Sequence, residues 1–152
     1  MAKIAVKTYK EAVEATPDVK NCFQAGLSGL GTNSTKVNAV NTRLFNGSVN
    51  IDLCTATKYA NENRWDYSFG YNDKAYFIEV HPANTSEVDV VIKKLQWLKN
   101  WLSSQAPELN KIKAQTPYYW IQSGKGAILP GSNQARKVAQ AGIKPMPSLR
   151  LS

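Results

Sequence analysis

Asp66, Glu79 and His81 are the residues of this chain whose types and spacing could do chemistry. Asp66 lies in the run Arg64-Trp65-Asp66-Tyr67-Ser68-Phe69-Gly70-Tyr71, and Glu79-Val80-His81 closes the run that begins Lys74-Ala75-Tyr76. Both runs are rich in aromatic and β-branched residues, which suit a pleated surface. Asn72-Asp73 between them is a two-residue turn, because both residue types tolerate positive φ. A hairpin closed by that turn pairs Tyr71 with Lys74, and each step outward pairs residues whose numbers sum to 145. Asp66 then faces Glu79, and Arg64 faces His81. Opposed side chains share a face with Cβ atoms roughly 4.5–5.5 Å apart, so the two carboxylates repel unless a positive group lies between them. A divalent cation is the natural candidate, since hard cations prefer oxygen ligands. The strand period of two puts His81, the only histidine, beside Glu79 on the same face. Two other readings stay open. A charged pair on a hairpin is also what the solvated face of a half-exposed strand presents, and the two acids could instead serve an ion-pair network with Arg64. A register slip of one residue would part the carboxylates.

The elements that must position these residues follow from periodicity and caps. The sequence predicts a short helix over 3–15, with Val6, Tyr9 and Val13 on one side. Thr16-Pro17-Asp18 starts a second helix, carried by Val19, Cys22, Phe23, Leu27 and Leu30 and ended by Gly29 and Gly31. Residues 32–46 read as a loop with some extended structure, and Asn46-Gly47 as a turn. Val49, Ile51 and Leu53 alternate with Asn50, Asp52 and Cys54, the pattern of a half-buried strand. Asp52 would point away from the apolar face, toward solvent or, if the strands are neighbours, toward the acids. Residues 55–63 are a polar connection, and Pro82 stops the second hairpin strand. Asn84 or Thr85 caps a long helix, with Glu87 and Asp89 in its first turn, where the dipole favours acids. Its stripe of Val88, Val91, Ile92, Leu95, Leu98 and Leu102, widened by Val90, Trp97 and Trp101, packs across a sheet. Residues 103–117 read as a polar loop, and Tyr118–Gln122 as a central strand. Gly124-Lys125-Gly126 lacks the full phosphate-loop spacing and reads as a turn. A short helix ends at Gly142, and residues 147–151 could add an edge strand.

With 152 residues, 43% hydrophobic and 20% charged, the chain reads as a single domain over 1–152 with a sizeable core. No apolar run approaches a membrane span, and the N-terminal apolar run is too short for a secretory signal. Cys22 and Cys54 match no metal or redox spacing; two buried thiols in a reduced, cytoplasmic chain are the simple reading, with a disulfide left open. The net charge of +8 is uneven: residues 1–84 carry nine Lys/Arg against eight Asp/Glu, and residues 85–152 carry ten against three. Such a field favours polyanions, nucleic acid first among them, although basic proteins that touch no nucleic acid are common.

Acid, hairpin, acid-x-basic residue and amphipathic helix, in that order over roughly residues 17–142, resemble the PD-(D/E)XK nuclease superfamily. The resemblance implies an α/β restriction-endonuclease-like fold, with a central mixed β-sheet flanked by helices and an αβββαβ core. It places a divalent metal, Mg²⁺ or Mn²⁺, on Asp66 and Glu79, with the Val80 carbonyl as third ligand. It makes Asp66, Glu79 and His81 the catalytic set of a metal-dependent nuclease acting on nucleic acid, DNA ahead of RNA. Trp65 stands where the family often has proline, and His81 where it has lysine. Lys93 or Lys94 on the following helix could supply that charge instead, as when the family's lysine migrates. Lys93, Lys94, Lys125, Arg136 and Lys137 are the candidate nucleic-acid contacts. A catalytically inactive module of the same fold, binding nucleic acid or a protein partner, is the alternative. Many nucleases of this fold pair up, which admits a homodimer.

Overall fold

The computed structural model describes residues 8–124 and 128–152, leaving aside the side chain of Thr85. Lys125 and the N-terminal end of the helix expected over 3–15 lie outside the described residues. In chain order the elements are α1 (Tyr9–Glu14), β1 (Val37–Ala39), β2 (Phe45–Asn50), α2 (Ile51–Thr55), β3 (Tyr67–Tyr71), β4 (Lys74–Pro82), α3 (Val88–Ser104), α4 (Pro107–Lys111), β5 (Lys113–Ser123), α5 (Asn133–Ala141), β6 (Lys144–Met146) and β7 (Leu149–Leu151). Five strands form a mixed sheet in the order β2-β3-β4-β5-β6; β1 and β7 form a separate two-stranded sheet. The fold is thus α/β, with a mixed central sheet flanked by helices.

The hairpin at the sheet's centre has the register set by its turn. Tyr71 pairs with Lys74 and Tyr67 with Ile78. Asn72 and Asp73 adopt φ of 51° and 57°, the double left-handed geometry of a tight hairpin turn. Asp73 is held there by Asn46 Oδ1, which accepts its N–H at 2.6 Å. From β4 the chain crosses through α3 to β5, which lies parallel to β4, as a crossover helix requires. Val88, Val91, Leu95, Leu98 and Leu102 of α3 are buried with Phe77 and Trp120 on one face of the sheet. Phe69, Tyr71, Ile78 and Ile121 are buried on the other face, under Leu30, Val37, Leu149 and Leu151.

Several expected elements differ. Residues 17–27 are not helical, and a kinked 3₁₀ segment covers Ser28–Lys36. Tertiary contacts outcompete the helical period there: Gln24 exchanges backbone hydrogen bonds with Ser48 of β2, both at 2.9 Å. Cys22 is joined to Cys54 by a disulfide, so the reading of two reduced thiols is corrected. Asn46-Gly47 is a bulge inside β2, not a turn. Gly47 takes φ of 136° beneath the Phe23 ring, which leaves no room for a Cβ there. The strand expected through Cys54 ends at Asn50, whose side chain caps α2 by accepting Leu53 N–H at 2.9 Å. The region read as a polar loop contains α4 and the start of β5, and β7 pairs with β1 instead of edging the main sheet. Among the described residues no helix is long and apolar enough to cross a membrane.

Candidate functional site

Strand lengths create the site. β3 begins at Tyr67, whereas β4 runs on to Pro82. Beyond Ile78, β4 therefore has no strand on its β3 side, and its backbone donors there need other partners. The Asp66 carboxylate supplies one: its Oδ2 accepts Val80 N–H at 3.0 Å. The Glu79 carboxylate returns the favour, with Oε1 accepting Asp66 N–H at 3.1 Å. Each acid is thus locked by a backbone N–H from the other's segment, and Asp66 O accepts Asp52 N–H at 3.2 Å from α2.

This reciprocal clamp uses one oxygen of each carboxylate and turns the other two toward one point. That point is occupied by the ammonium of Lys94, which donates to Asp66 Oδ1 at 3.1 Å and also to Glu79 Oε2. Lys94 is on α3, and its side chain is only 15% exposed. Lys94 thus lies with the two acids, while Lys93, one position earlier, is exposed. Glu79 has no exposed surface at all. A buried carboxylate is stable only when paired or protonated, and both tendencies are visible. Burial, helped by the Asp66 charge, pushes Glu79 up to about 7, against the pull of His81 and Lys94. Burial opposes the charge on Lys94, but Glu79 and Asp66 outweigh it and hold the ammonium above its ordinary value.

His81 closes the other side of Glu79. Its Nδ1 is 3.6 Å from Glu79 Oε2, and its Nε2 is 2.8 Å from Glu87 Oε2. The Glu79 contact, with Glu87 adding to it, raises the imidazole pKa despite partial burial. The end of β4 is fixed by Trp120 of β5, whose indole N–H donates to His81 O at 2.9 Å. Gln122 is the register partner of His81.

Asp66, Glu79, Val80, His81 and Lys94 therefore come together. Arg64 does not join them. It lies before β3, and its guanidinium bonds Asp52 Oδ1 at 2.8 Å and the carbonyls of Tyr59 and Ala60. The expected Arg64–His81 pair and the Arg64 network around the acids are corrected: Lys94 fills that role, and Asp52 is absorbed by Arg64. Arg136 is exposed, and among the described residues Lys137 reaches Asp89, at 3.5 Å. Glu87 and Trp120 were not legible as site residues. Glu87 reads as a dipole acid of the helix, and Trp120 as one bulky residue of a buried strand.

The chemistry of the donor set fits a hard cation. Two carboxylate oxygens, each braced by a backbone N–H, converge on one positive atom, which here is an ammonium. A divalent ion on the same oxygens would have to displace Lys94 Nζ from between them. Among the described residues no group of three or more His, Cys, Asp and Glu side chains is arranged to hold a metal, so a third protein ligand would have to be a backbone oxygen. No family model, no curated protein and no solved structure matches this chain.

Proposed function

We propose that the chain is a restriction-endonuclease-like domain of the PD-(D/E)XK type that hydrolyses phosphodiester bonds of nucleic acid, DNA first. The observation that carries the reading is the convergence of Asp66 Oδ1 and Glu79 Oε2 on one cation at the frayed end of a hairpin. Mg²⁺ or Mn²⁺ would be held by Asp66 and Glu79 with the Val80 carbonyl, and when bound would polarise the phosphate and lower the pKa of a water. Asp66 and Glu79 keep their orientation through the backbone N–H of Val80 and of Asp66. Lys94 takes the place of the family's lysine from a position on α3. Freed from the carboxylates, its ammonium would be offered to the phosphate oxygens as they gain charge, or to the attacking water. His81, tethered between Glu79 and Glu87, is a positioning residue for Glu79 and leaves Lys94 as the cation that touches both acids.

The test is incubation of supercoiled plasmid and single-stranded DNA with Mg²⁺ or Mn²⁺, beside Glu79→Gln. Cleavage by the wild type that falls by about 10²-fold or more in the variant is expected if the acid takes part in catalysis. Equal activity in the two proteins, or none with either metal, removes the catalytic reading. One observation favours the inactive alternative: an ammonium already neutralises the acids. That alternative requires DNA binding that falls with salt but ignores chelator and Glu79→Gln.

A further inference from the structure

A cavity walled by aromatic rings lies along the C-terminal half of α3, apart from the carboxylate site. The connection after α2 folds back on itself there. Tyr59 N–H donates to Thr55 O at 2.9 Å, and Glu62 N–H to Tyr59 O at 3.1 Å. The Arg64 guanidinium holds the carbonyls of Tyr59 and Ala60 from behind. This brings Tyr59 and Glu62 against Trp97 and Trp101, which stand one helical turn apart on the same side of α3. The four side chains line a cavity of about 180 Å³, with Asn100 and Ser104 among the residues at its polar border. It shares no lining residue with Asp66, Glu79 and Lys94.

The rings are arranged as walls. Trp97 and Trp101 stack with centroids 5.8 Å apart and planes 10° from parallel. Tyr59 stands almost perpendicular to Trp97, at 81°, with centroids 5.5 Å apart. The polar end of every ring is committed to an acid. Trp97 Nε1–H donates to Glu62 Oε1 at 2.8 Å, Trp101 Nε1–H to Asp18 Oδ2 at 3.0 Å, and Tyr59 Oη–H to Asp18 Oδ2 at 2.6 Å. An aromatic ring is positive at its edge and negative on its face. With their donors spent on carboxylates, the rings have only electron-rich surface left to offer.

The charge of the cavity has the same sign. Lys58 is on Asp18 at 2.7 Å and neutralises it. Among the described residues Glu62 has no ion-pair partner, and the cavity lining holds no Lys or Arg. A chain of net charge +8 thus keeps one spot that attracts cations. The Lys58 ammonium lies 5.3 Å from the Tyr59 ring centre, so one of these rings already carries a cation from outside the lining. The volume is below the roughly 300–1,000 Å³ of drug-sized ligand sites, which admits one compact head group. A primary ammonium would lose hydration that rings do not replace, and Ser104 Oγ–H is already donated to Asn100 O at 2.7 Å. A methylated ammonium has little to lose and spreads its charge over the methyl groups that meet the rings.

We propose that this cavity binds a trimethylammonium group, the head of a choline-like small molecule or of a trimethylated lysine, between Tyr59 and Trp97 with Glu62 as counter-charge. The proposal does not rest on the nuclease reading, and neither reading falls with the other.

The test is titration of the protein with choline chloride and, separately, with Nε-trimethyllysine amide, at ionic strength matched with NaCl and followed by tryptophan emission. A saturable change with one or both is expected, and which of them binds more tightly separates a free small molecule from a modified side chain. The control is 3,3-dimethyl-1-butanol, which has the shape of choline without its charge and should bind at least about tenfold more weakly. Trp97→Leu should weaken binding about fivefold to thirtyfold, the size of one cation–π contact. Glu62 is exposed, so Glu62→Gln perturbs the fold least and should weaken binding of choline but not of the neutral alcohol. The proposal is overturned if neither cation saturates, if the neutral alcohol binds as well as choline, or if neither variant changes choline binding.

Discussion

Lys94→Met removes the ammonium that both carboxylates share while keeping an unbranched side chain on α3. Its cost depends on pH in a way the geometry fixes. Glu79, fully buried, titrates at about 7 in the native protein, well above the roughly 4.3 of an unperturbed glutamate. The folded state therefore binds more protons than the unfolded state between those values, so this group's contribution to stability falls as pH rises from about 4 to 7 and then levels off. Without Lys94 the Glu79 pKa rises further, and the decline continues above 7. At pH 5, Glu79 is protonated in both proteins, and the loss is the mostly buried Lys94–Asp66 pair, about 1.5–3 kcal/mol. At pH 8 Glu79 must be kept protonated one pH unit above its wild-type value of about 7, which adds about 1.4 kcal/mol to the deficit. Urea denaturation of wild type and Lys94→Met at pH 5 and pH 8 measures the difference. Adding Glu79→Gln to Lys94→Met should remove that extra loss at pH 8 and change little at pH 5. A deficit that is the same at both pH values, or absent at pH 8, would show that Lys94 does not neutralise Glu79.

Two predictions concern the scaffold that delivers Asp66. The Cys22–Cys54 bridge closes a loop of sequence separation 32, and loop-closure entropy for that length gives about 3–4 kcal/mol. Cys22→Ser with Cys54→Ser should lower the urea midpoint accordingly, and dithiothreitol should shift the wild type toward the double variant without moving the variant itself. Asp18 gathers Lys58 at 2.7 Å, Tyr59 Oη at 2.6 Å and Trp101 Nε1 at 3.0 Å, anchoring the N-terminal segment to α3 and to the connection after α2. Burial works against its ionisation, but those three donors win and hold its carboxyl below the usual range. Its stabilisation is present above the ordinary aspartate pKa of about 4 and is lost as pH falls through the native value. Asp18→Asn should therefore be less stable than wild type at pH 7, with a gap that closes on acid titration followed by circular dichroism. A gap that widens in acid would contradict this sign.

The parts of the fold that the sequence discloses are those governed by local rules. Asn72-Asp73 has only one comfortable way to turn, and that turn alone sets the register that brings Asp66 against Glu79. The stripe of α3 is long enough for its period to be unambiguous. The misreadings occur where tertiary contacts decide. Val49, Ile51 and Leu53 alternate like a strand, yet Asn50 turns the chain into a helix of five residues, too short to show a period. The apolar spacing from Val19 to Leu30 looks helical, but the Cys22 bridge and the Gln24–Ser48 pairing pull that segment into turns. Lys94 is the clearest case at the site. Sequence places it on α3 among three lysines, and the apolar stripe turns Lys93 to solvent, but whether Lys94 or Lys99 on the stripe's flanks reaches the acids depends on where along the sheet the helix is laid, which no local pattern encodes. Glu87 lies beyond Pro82 and meets His81 only because the chain doubles back between β4 and α3.

The claim on which the functional account rests is that Asp66 and Glu79 hold their free oxygens on one cation, with an ammonium now standing where a metal would bind. Electron paramagnetic resonance of Mn²⁺ added to wild type, Asp66→Asn, Glu79→Gln and Lys94→Met at pH 8 tests it directly. The account predicts bound Mn²⁺ in the wild type, its loss in both acid variants, and tighter binding in Lys94→Met, where nothing competes for the oxygens. Mn²⁺ bound equally by wild type and acid variants, or by none of the four proteins, would contradict it.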